Sequence, residues 1–474
     1  MTLTELYSWL CSFINLEQGC LLGPPGIGGR PSSSADEHFK LDRIQALAKL
    51  AGNPELGFPL IHIAGSKGKG SVCAMTALIL ETAGIKTARY MSPHVSDWRE
   101  RISRGDGSFF PDSVYMQAGR ELQHICSLKQ HYSGNPTFFE LVTLLFFLCA
   151  RLDKCKALVV ETGLGGRLDA TNIVDPVVSV ITIIEKEHTE YLGNTLTEIA
   201  GEKAGIIKKN RPLICAKQQP EVLAVLKKRA KEQNAPFFYA PDCMEISNIQ
   251  INPGGMEFSY TDKQDDTNSF NVLGMHLRGK TYADNAALAI MAVRTAFPGE
   301  DSGINNTVIT KALADCSIPA RFEKLCDEPL FIIDGAHTPL SAELCCKTFK
   351  TLYGNGGILL FACAADKDAQ AMAEILLPVF SLCIITAPGT FRAADPNTVY
   401  QIFSSAAQKS KNPSSPKELF CISDTAEAIQ QAIRKGKELS LPILGCGSFY
   451  LAAEIRKVLI SGGFSCTITP YMVH

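Results

Sequence analysis

The sequence predicts an α/β fold built on mostly parallel sheets and divided between two domains. Short β-branched runs, with ALVVET at 157–162 and VVSVITII at 177–184 among them, alternate with longer helical stretches. Continuous apolar strands in that rhythm belong to parallel sheets covered by helices on both faces. At 474 residues the chain also exceeds what one hydrophobic core normally serves. A change of texture at 243–277, with shorter alternating runs around the turn Asn252-Pro253-Gly254-Gly255, predicts a small antiparallel insert before the strand–helix rhythm resumes. The expected division is 1–317 and 318–474, the second domain smaller and Rossmann-like.

Each element has its own signal. Leu6, Trp9, Leu10, Phe13 and Ile14 recur at helical spacing. Leu21 to Asp36 is rich in Gly, Pro and Ser and reads as a loop that only a ligand would order. Leu41–Leu50 reads as a helix leading into the apolar strand that begins at Ile61. That strand breaks into GSKGKGS, and the following SVCAMTALILETAG reads as a helix ending at Gly84. KTARYM is β-like, 113–129 helical, Thr137 to Ala150 a strongly apolar helix, and Thr195 to Ile207 an amphipathic one. A helix from Tyr282 to Ala296 follows the insert, and SIPARF at 317–322 reads as a connector. PLFIIDGAH, GILLFACA, LCIITAP and LPILGCG then supply four further strands, each followed by a helical stretch. No repeat of solenoid period interrupts this order.

Composition excludes several classes of function. Lys and Arg total 46 against 48 Asp and Glu, a net charge of -2, so neither nucleic acid nor an anionic membrane surface is an expected partner. The longest apolar stretch, Leu141 to Ala150, is about half a membrane span. Glu5 stands where a secretory signal would be basic. The 17 cysteines form no C-x-x-C pair, and several, such as Cys149 and Cys363, lie in apolar runs. Buried thiols in a reducing cytoplasm are the expected reading.

Parallel sheets place ligands at the C-terminal ends of their strands, and here those ends carry chemistry. Gly65, Gly68 and Gly70 let the backbone turn and bring its N–H groups close to an anion, while Lys69 adds charge and Ser71 a hydroxyl suited to a phosphate-bound Mg²⁺. The helix that follows would aim its N-terminal dipole at the same anion. Only two residues separate Gly65 from Gly68, against four in the general P-loop pattern, so a flexible basic turn is the plain alternative. ALVVET ends at Glu161, a hard oxygen ligand if a metal accompanies the phosphate and otherwise a cap. VVSVITII runs on to Glu187 and His188, either structural or on the ligand side. Lys203, by composition alone, is an exposed helix lysine. Asp334 and His337 flank a glycine turn at another strand end. A hydrolase dyad there lacks its G-x-S-x-G elbow, and a ligand-binding turn is preferred. Ser448 reads first as an N-cap and second as an anion-binding hydroxyl.

Taken together, LDRIQALAKLAGNP, HIAGSKGKGSV, MSPH, ERI, TFFE, ETGLGGRLDATNIV, HTEYLGNTLTEIAGEKAGIIK, NAALAI, ARFE, DGAHTP and GSFYL, in this order from about residue 40 to 454, resemble the folylpolyglutamate synthase and dihydrofolate synthase family of the Mur ligase superfamily. The resemblance implies a P-loop-type ATPase domain followed by a glutamate-ligase domain. It also implies an ATP-dependent ligase in which a folate or pteroate carboxylate is phosphorylated and then captured by the amine of L-glutamate. Gly68, Lys69, Gly70 and Ser71 would hold the ATP phosphates, and Asn285, Arg321 and Asp334 would complete the nucleotide site. Ser71, Ser92, Glu161 and His188 would hold Mg²⁺, with room for K⁺ as a second cation. Lys203 matches a lysine carbamylated in the family, which replaces the surface reading, and Lys69, His188 and Lys203 form the implied catalytic group. Thr137, Phe138, Phe139 and Glu140, with Leu168, Asp169 and Ala170, match pterin-side contacts, and His337 and Ser448 match positions near glutamate.

The chain departs from the family pattern at several points. Glu187 replaces the usual Asp before the metal-binding histidine, Thr338 the usual Asn after DGAH, and Thr281 and Tyr282 a His-Gln pair beside the adenine. The loop Leu21 to Asp36 is longer than the family leads one to expect. A muramyl-peptide ligase is the near alternative, disfavoured by TFFE and GGRLDATN, and a nucleotide-gated binding protein without ligase activity is the distant one. A monomer is expected.

Overall fold

The computed structural model describes residues 1–15, 41–128, 131–252, 254–387, 395–409 and 418–460; the loop expected at Leu21 to Asp36 lies outside them. Among the described residues, the strands form two large sheets and one small one. The first sheet contains β1 (Leu60–Ala64), β2 (Thr87–Tyr90), β3 (Ile102–Arg104), β4 (Ala157–Glu161), β5 (Val178–Ile181), β6 (Leu213–Cys215) and β7 (Phe237–Tyr239), in the order β3-β2-β4-β1-β5-β6-β7. All neighbours are parallel except the edge pair β2 and β3.

The central strand β1 is buried along its whole length, as its largely apolar run requires. Its register pairs Ile63 with Glu161 and Ala64 with Ile181, so β4, β1 and β5 finish side by side. The three strand ends expected to converge do so. One face of the sheet packs on the helices Lys69–Thr82, Lys280–Ala296 and Asn306–Asp315, and the other on Phe138–Leu152, Asp112–Ser127 and Leu3–Cys11. The helix Phe138–Leu152 is buried around nearly all its circumference, which explains its apolar sequence. Among the described residues, no helix is long and apolar enough to cross a membrane.

The antiparallel insert is β8 (Met244–Asn252), β9 (Gly255–Asp262) and β10 (Phe270–Met275), ordered β10-β9-β8. The last sheet holds β11 (Glu323–Asp327), β12 (Leu330–Ile333), β13 (Gly357–Phe361), β14 (Phe380–Ile385), β15 (Glu418–Cys421) and β16 (Ile443–Cys446), ordered β11-β12-β16-β13-β14-β15. Only its edge pair β11 and β12 is antiparallel.

The structure corrects the expected elements in three places. The first helix stops at Cys11, and Ile14 instead lies in a bridge with Thr137, its carbonyl accepting the Phe138 N–H at 2.9 Å. That bond satisfies an orphan donor at the start of the long helix. β5 ends at Ile181 because the next residues turn back under the glycine loop, where Ile183 O accepts from Ser66 N at 2.9 Å. β3, β6, β7, β11 and β15 were not expected from the sequence; they are short and lie at or next to sheet edges, where a long β-branched run is not needed.

Candidate functional site

The site grows out of the turn between β1 and the helix Lys69–Thr82. Gly65 has φ +148, and a Cβ there would lie 1.9 Å from Thr182 Oγ1. Gly68, at φ +90, sits so close to Asn285 that a Cβ would meet its Oδ1 at 2.6 Å. Side chains are therefore excluded on both sides of the turn. The helix that follows has no side-chain cap, which leaves its first amides for an anion. Lys69 Nζ donates to Gly65 O at 3.0 Å and lies over the rim of the loop, while Ser71 is buried in the first turn.

Next to this loop, Glu161 is 4% exposed at the end of β4, and its Oε2 lies near Gly70 and accepts from Ser92 N at 3.1 Å. Burial pushes its pKa up to about 7, although Lys69, the Ser92 N–H, Arg321 and Arg101 all favour the anion. A carboxylate that burial keeps reluctant to ionise would gain most from a metal ion bound against it. Among the described residues no group of three or more His, Cys, Asp or Glu side chains gathers into a metal cage. Mg²⁺, which uses one or two carboxylates and completes its shell with phosphate and water, suits this donor set better than an ion that needs an all-protein cage.

On the opposite side of the loop, Lys203 is 1% exposed. Its Nζ donates to Gly65 O at 2.8 Å and to Glu187 Oε1 at 2.9 Å. Burial, reinforced by Lys69, pulls its pKa down to about 8 against the pull of Glu187. Glu187 itself stays below the ordinary range despite burial, because Lys203 and Lys69 hold it there. His188 adopts a left-handed backbone, φ +48, at the start of the short helix Thr189–Leu192, and burial favours its neutral ring. Lys69 and Lys203 thus aim two ammonium groups at the single carbonyl of Gly65.

The second sheet faces this group. Asp334, at the end of β12, accepts from Phe322 N and Ala336 N at 2.8 Å each, and burial raises its pKa against the field of Arg321. The Arg321 guanidinium lies 4.6 Å over the Phe449 ring, and Gly335 sits beneath that ring, where a Cβ would come within 2.2 Å. His337 Nδ1 bonds Gly335 O at 2.8 Å, and burial, reinforced by Lys67, disfavours its protonation. Tyr282 is within the electrostatic reach of Arg321 and Asp334, on the side where the family carries a different pair. Thr338 serves as the N-cap of the helix Pro339–Tyr353 with Ser341, so it fills a structural place. Ser448 Oγ accepts from Leu451 N at 3.0 Å, the N-cap reading given to it first.

The residues expected on the acceptor side divide by exposure. Thr137 and Glu140 form a capping box, and Arg43 holds Glu140 through bonds of 2.9 and 3.0 Å, so both side chains already have structural partners. Phe138 is buried, with the Arg101 guanidinium 5.5 Å above its ring. Asp169 folds its own loop, accepting from Leu164 N at 2.8 Å and Thr171 N at 3.0 Å, and Ala170 is buried behind it. Phe139, packed on Gly163, and Leu168 are the members that keep partly open surface. Arg101, given no role in the sequence beyond its place in the ERI motif, is 2% exposed and bonds His94 Nδ1 at 2.8 Å.

Comparison with known proteins covers both halves of the chain. Residues 63–293 match the Mur ligase middle domain and residues 320–448 the Mur ligase glutamate ligase domain. A dihydrofolate synthase/folylpolyglutamate synthase of Bacillus subtilis is 32% identical over 88% of this chain and 94% of its own length. The folylpolyglutamate synthase of Thermotoga maritima superposes with a TM-score of 0.80 at 26% identity, over 97% of each chain. That of Mycobacterium tuberculosis, solved with ADP and AMPPCP, does so with a TM-score of 0.77 at 27% identity, over 91% of this chain and 97% of its own. On this sequence identity and coverage, the chain belongs to the folylpolyglutamate synthase and dihydrofolate synthase family of ATP-dependent Mur-type ligases.

Proposed function

We propose that the protein joins L-glutamate to dihydropteroate, to a folate, or to both, with ATP as the phosphoryl donor. The observation that carries this reading is the convergence of Lys69 and Lys203 on the Gly65 carbonyl, opposite the buried Glu161. Positive charge concentrated beside uncapped helix amides supports a polyphosphate site. Residues 1–317 carry that loop, and 318–474 bring Arg321, Asp334, His337 and Ser448 toward it.

A carboxylate is a poor electrophile. Its oxygen attacks the γ-phosphorus of ATP, the bond to ADP breaks, and an acyl phosphate forms. The glutamate amine then attacks the acyl carbon, phosphate leaves, and the nitrogen gives up a proton to make the amide. This chain's residues position and neutralise charge. Gly68, Gly70 and Ser71 present backbone N–H groups, Lys69 swings from the loop rim to the phosphates, and Asn285, Arg321 and Asp334 take the nucleoside side. Ser71, Ser92, Glu161 and His188 would hold Mg²⁺, which when bound offsets phosphate charge. Phe139 and Leu168 offer the partly open apolar surface for a pterin, and His337 lies on the glutamate side.

Carbamylation of Lys203 belongs to this proposal. Burial favours the free amine, whose nitrogen can attack CO₂ with loss of a proton. The resulting anion would sit where two ammonium groups now crowd one carbonyl, with K⁺ or Mg²⁺ as its counter-ion. Every described cysteine is free, which supports action in a reducing cytoplasm. Offering dihydropteroate and folate separately with Mg-ATP and glutamate tests the acceptor: a glutamylated product from at least one is expected, and none from either would overturn the reading.

A further inference from the structure

A run of polar contacts joins the two sheets outside the residues assigned above. Arg456, on the helix Phe449–Ile460, donates from Nη1 to Ser96 Oγ at 2.7 Å and to Glu100 Oε1 at 3.3 Å. Its Nε donates to Glu323 Oε1 at 3.2 Å, at the start of β11. The contacts lie on opposite sides of the domain boundary, and each leads back to the nucleotide site.

On the first side, Glu100 shapes the segment that follows Ser92. It accepts from Val95 N at 2.6 Å, from Ser96 N at 3.2 Å and from Ser96 Oγ at 2.6 Å. Ser92, three residues before Val95, donates its N–H to Glu161. On the second side, Glu323 Oε2 accepts from Ala320 N at 2.7 Å. Ala320 and Phe322 both hold left-handed backbones, at φ +54 and +48, and Arg321 lies between them. Residues with a Cβ keep that conformation only where their surroundings enforce it. Here the bonds from Ala320 N to Glu323 and from Phe322 N to Asp334 enforce it.

Glu100 and Glu323 are 14% and 7% exposed and share Arg456 as their cation. A guanidinium suits this place because its fork serves several acceptors at once, which an ammonium on a flexible stem does less well. We propose that Arg456 is an interdomain positioning residue that ties the segment carrying Ser92 to the connector carrying Arg321, so that the two sides of the nucleotide site take up their spacing together. The inference rests on the reading of Ser92 and Arg321 as parts of that site.

Two variants test it. Arg456→Lys keeps the charge and loses the fork. Arg456→Gln/Glu323→Gln removes the cation together with the more buried of its two counter-charges, and Glu100 keeps the bonds from Val95 N, Ser96 N and Ser96 Oγ. Amide exchange of residues 93–101 reads the tie without reference to activity. It should quicken about threefold or more in the double variant as the local opening energy falls. The kcat of glutamate-dependent phosphate release should fall about tenfold while the KM for glutamate changes less, with Arg456→Lys in between. Unchanged exchange in 93–101 would overturn the tie, and quickened exchange with wild-type kcat would overturn the positioning role. Lys69→Ala separates this from the reading beneath it. Wild-type exchange with lost turnover supports the site and leaves the tie in place, whereas full turnover would overturn the nucleotide-site assignment and the role of Arg456 with it.

Discussion

Lys203 shows how little a single residue's type reveals. Composition makes it a surface lysine, yet the helix Leu196–Lys203 ends against the GGRLDATN loop so tightly that a Cβ on Gly205 would meet Arg167 Cα at 2.3 Å. The small neighbours Ala204 and Gly205 are what allow that approach, and they bury the amine. If the carbamate reading holds, Lys203→Ala should lose most turnover and recover part of it with a small added carboxylate, measured as phosphate release; unaltered activity in the variant would remove carbamate from the mechanism. His62 gives a second residue-scale expectation. It is fully buried on β1, bonds Thr171 Oγ1 at 2.9 Å, and has its pKa depressed to about 3 by burial and by Lys208. Below its ordinary value of 6.5 the unfolded chain takes up a proton that the folded chain refuses. Stability should therefore fall with pH between 6.5 and 3, by about 1.4 kcal/mol per unit from this group. His62→Gln should flatten that slope in denaturation series at pH 7 and pH 5.

At the scale of elements, legibility followed position in the sheet. β1, β4 and β5 lie at the centre of a covered sheet and are mostly apolar, so their sequences announced them. The short strands β3, β6 and β15 did not, because a few residues at or near an edge are held by neighbours more than by their own pattern. The glycine loop was legible as a turn, but its tightness was not: Thr182, just past the end of the neighbouring strand β5, sets the limit at Gly65. Gly65→Ala should destabilise the fold by about 1–3 kcal/mol through overpacking and backbone strain and should weaken ATP binding. Thr182→Ala should restore part of the melting temperature, and a loss of stability that Thr182→Ala leaves untouched would place the strain elsewhere.

For the whole molecule, the order of motifs identified the family, while the way the two sheets meet was visible only in three dimensions. Arg321 stands more than 150 positions after Glu161, whose charge it favours, so their approach depends on a connector whose conformation no local pattern announces. Arg456 was equally hidden, since one arginine in the helix Phe449–Ile460 gives no sign of carboxylates from two domains. In the function proposed, both halves are needed: one would supply the activated phosphate chemistry, and the other would bring the amine that completes it. The most direct measurement is phosphate release by the purified protein with Mg-ATP and a pterin acceptor, with and without L-glutamate. Sustained release that requires glutamate is expected, and equal turnover in its absence would contradict the assignment.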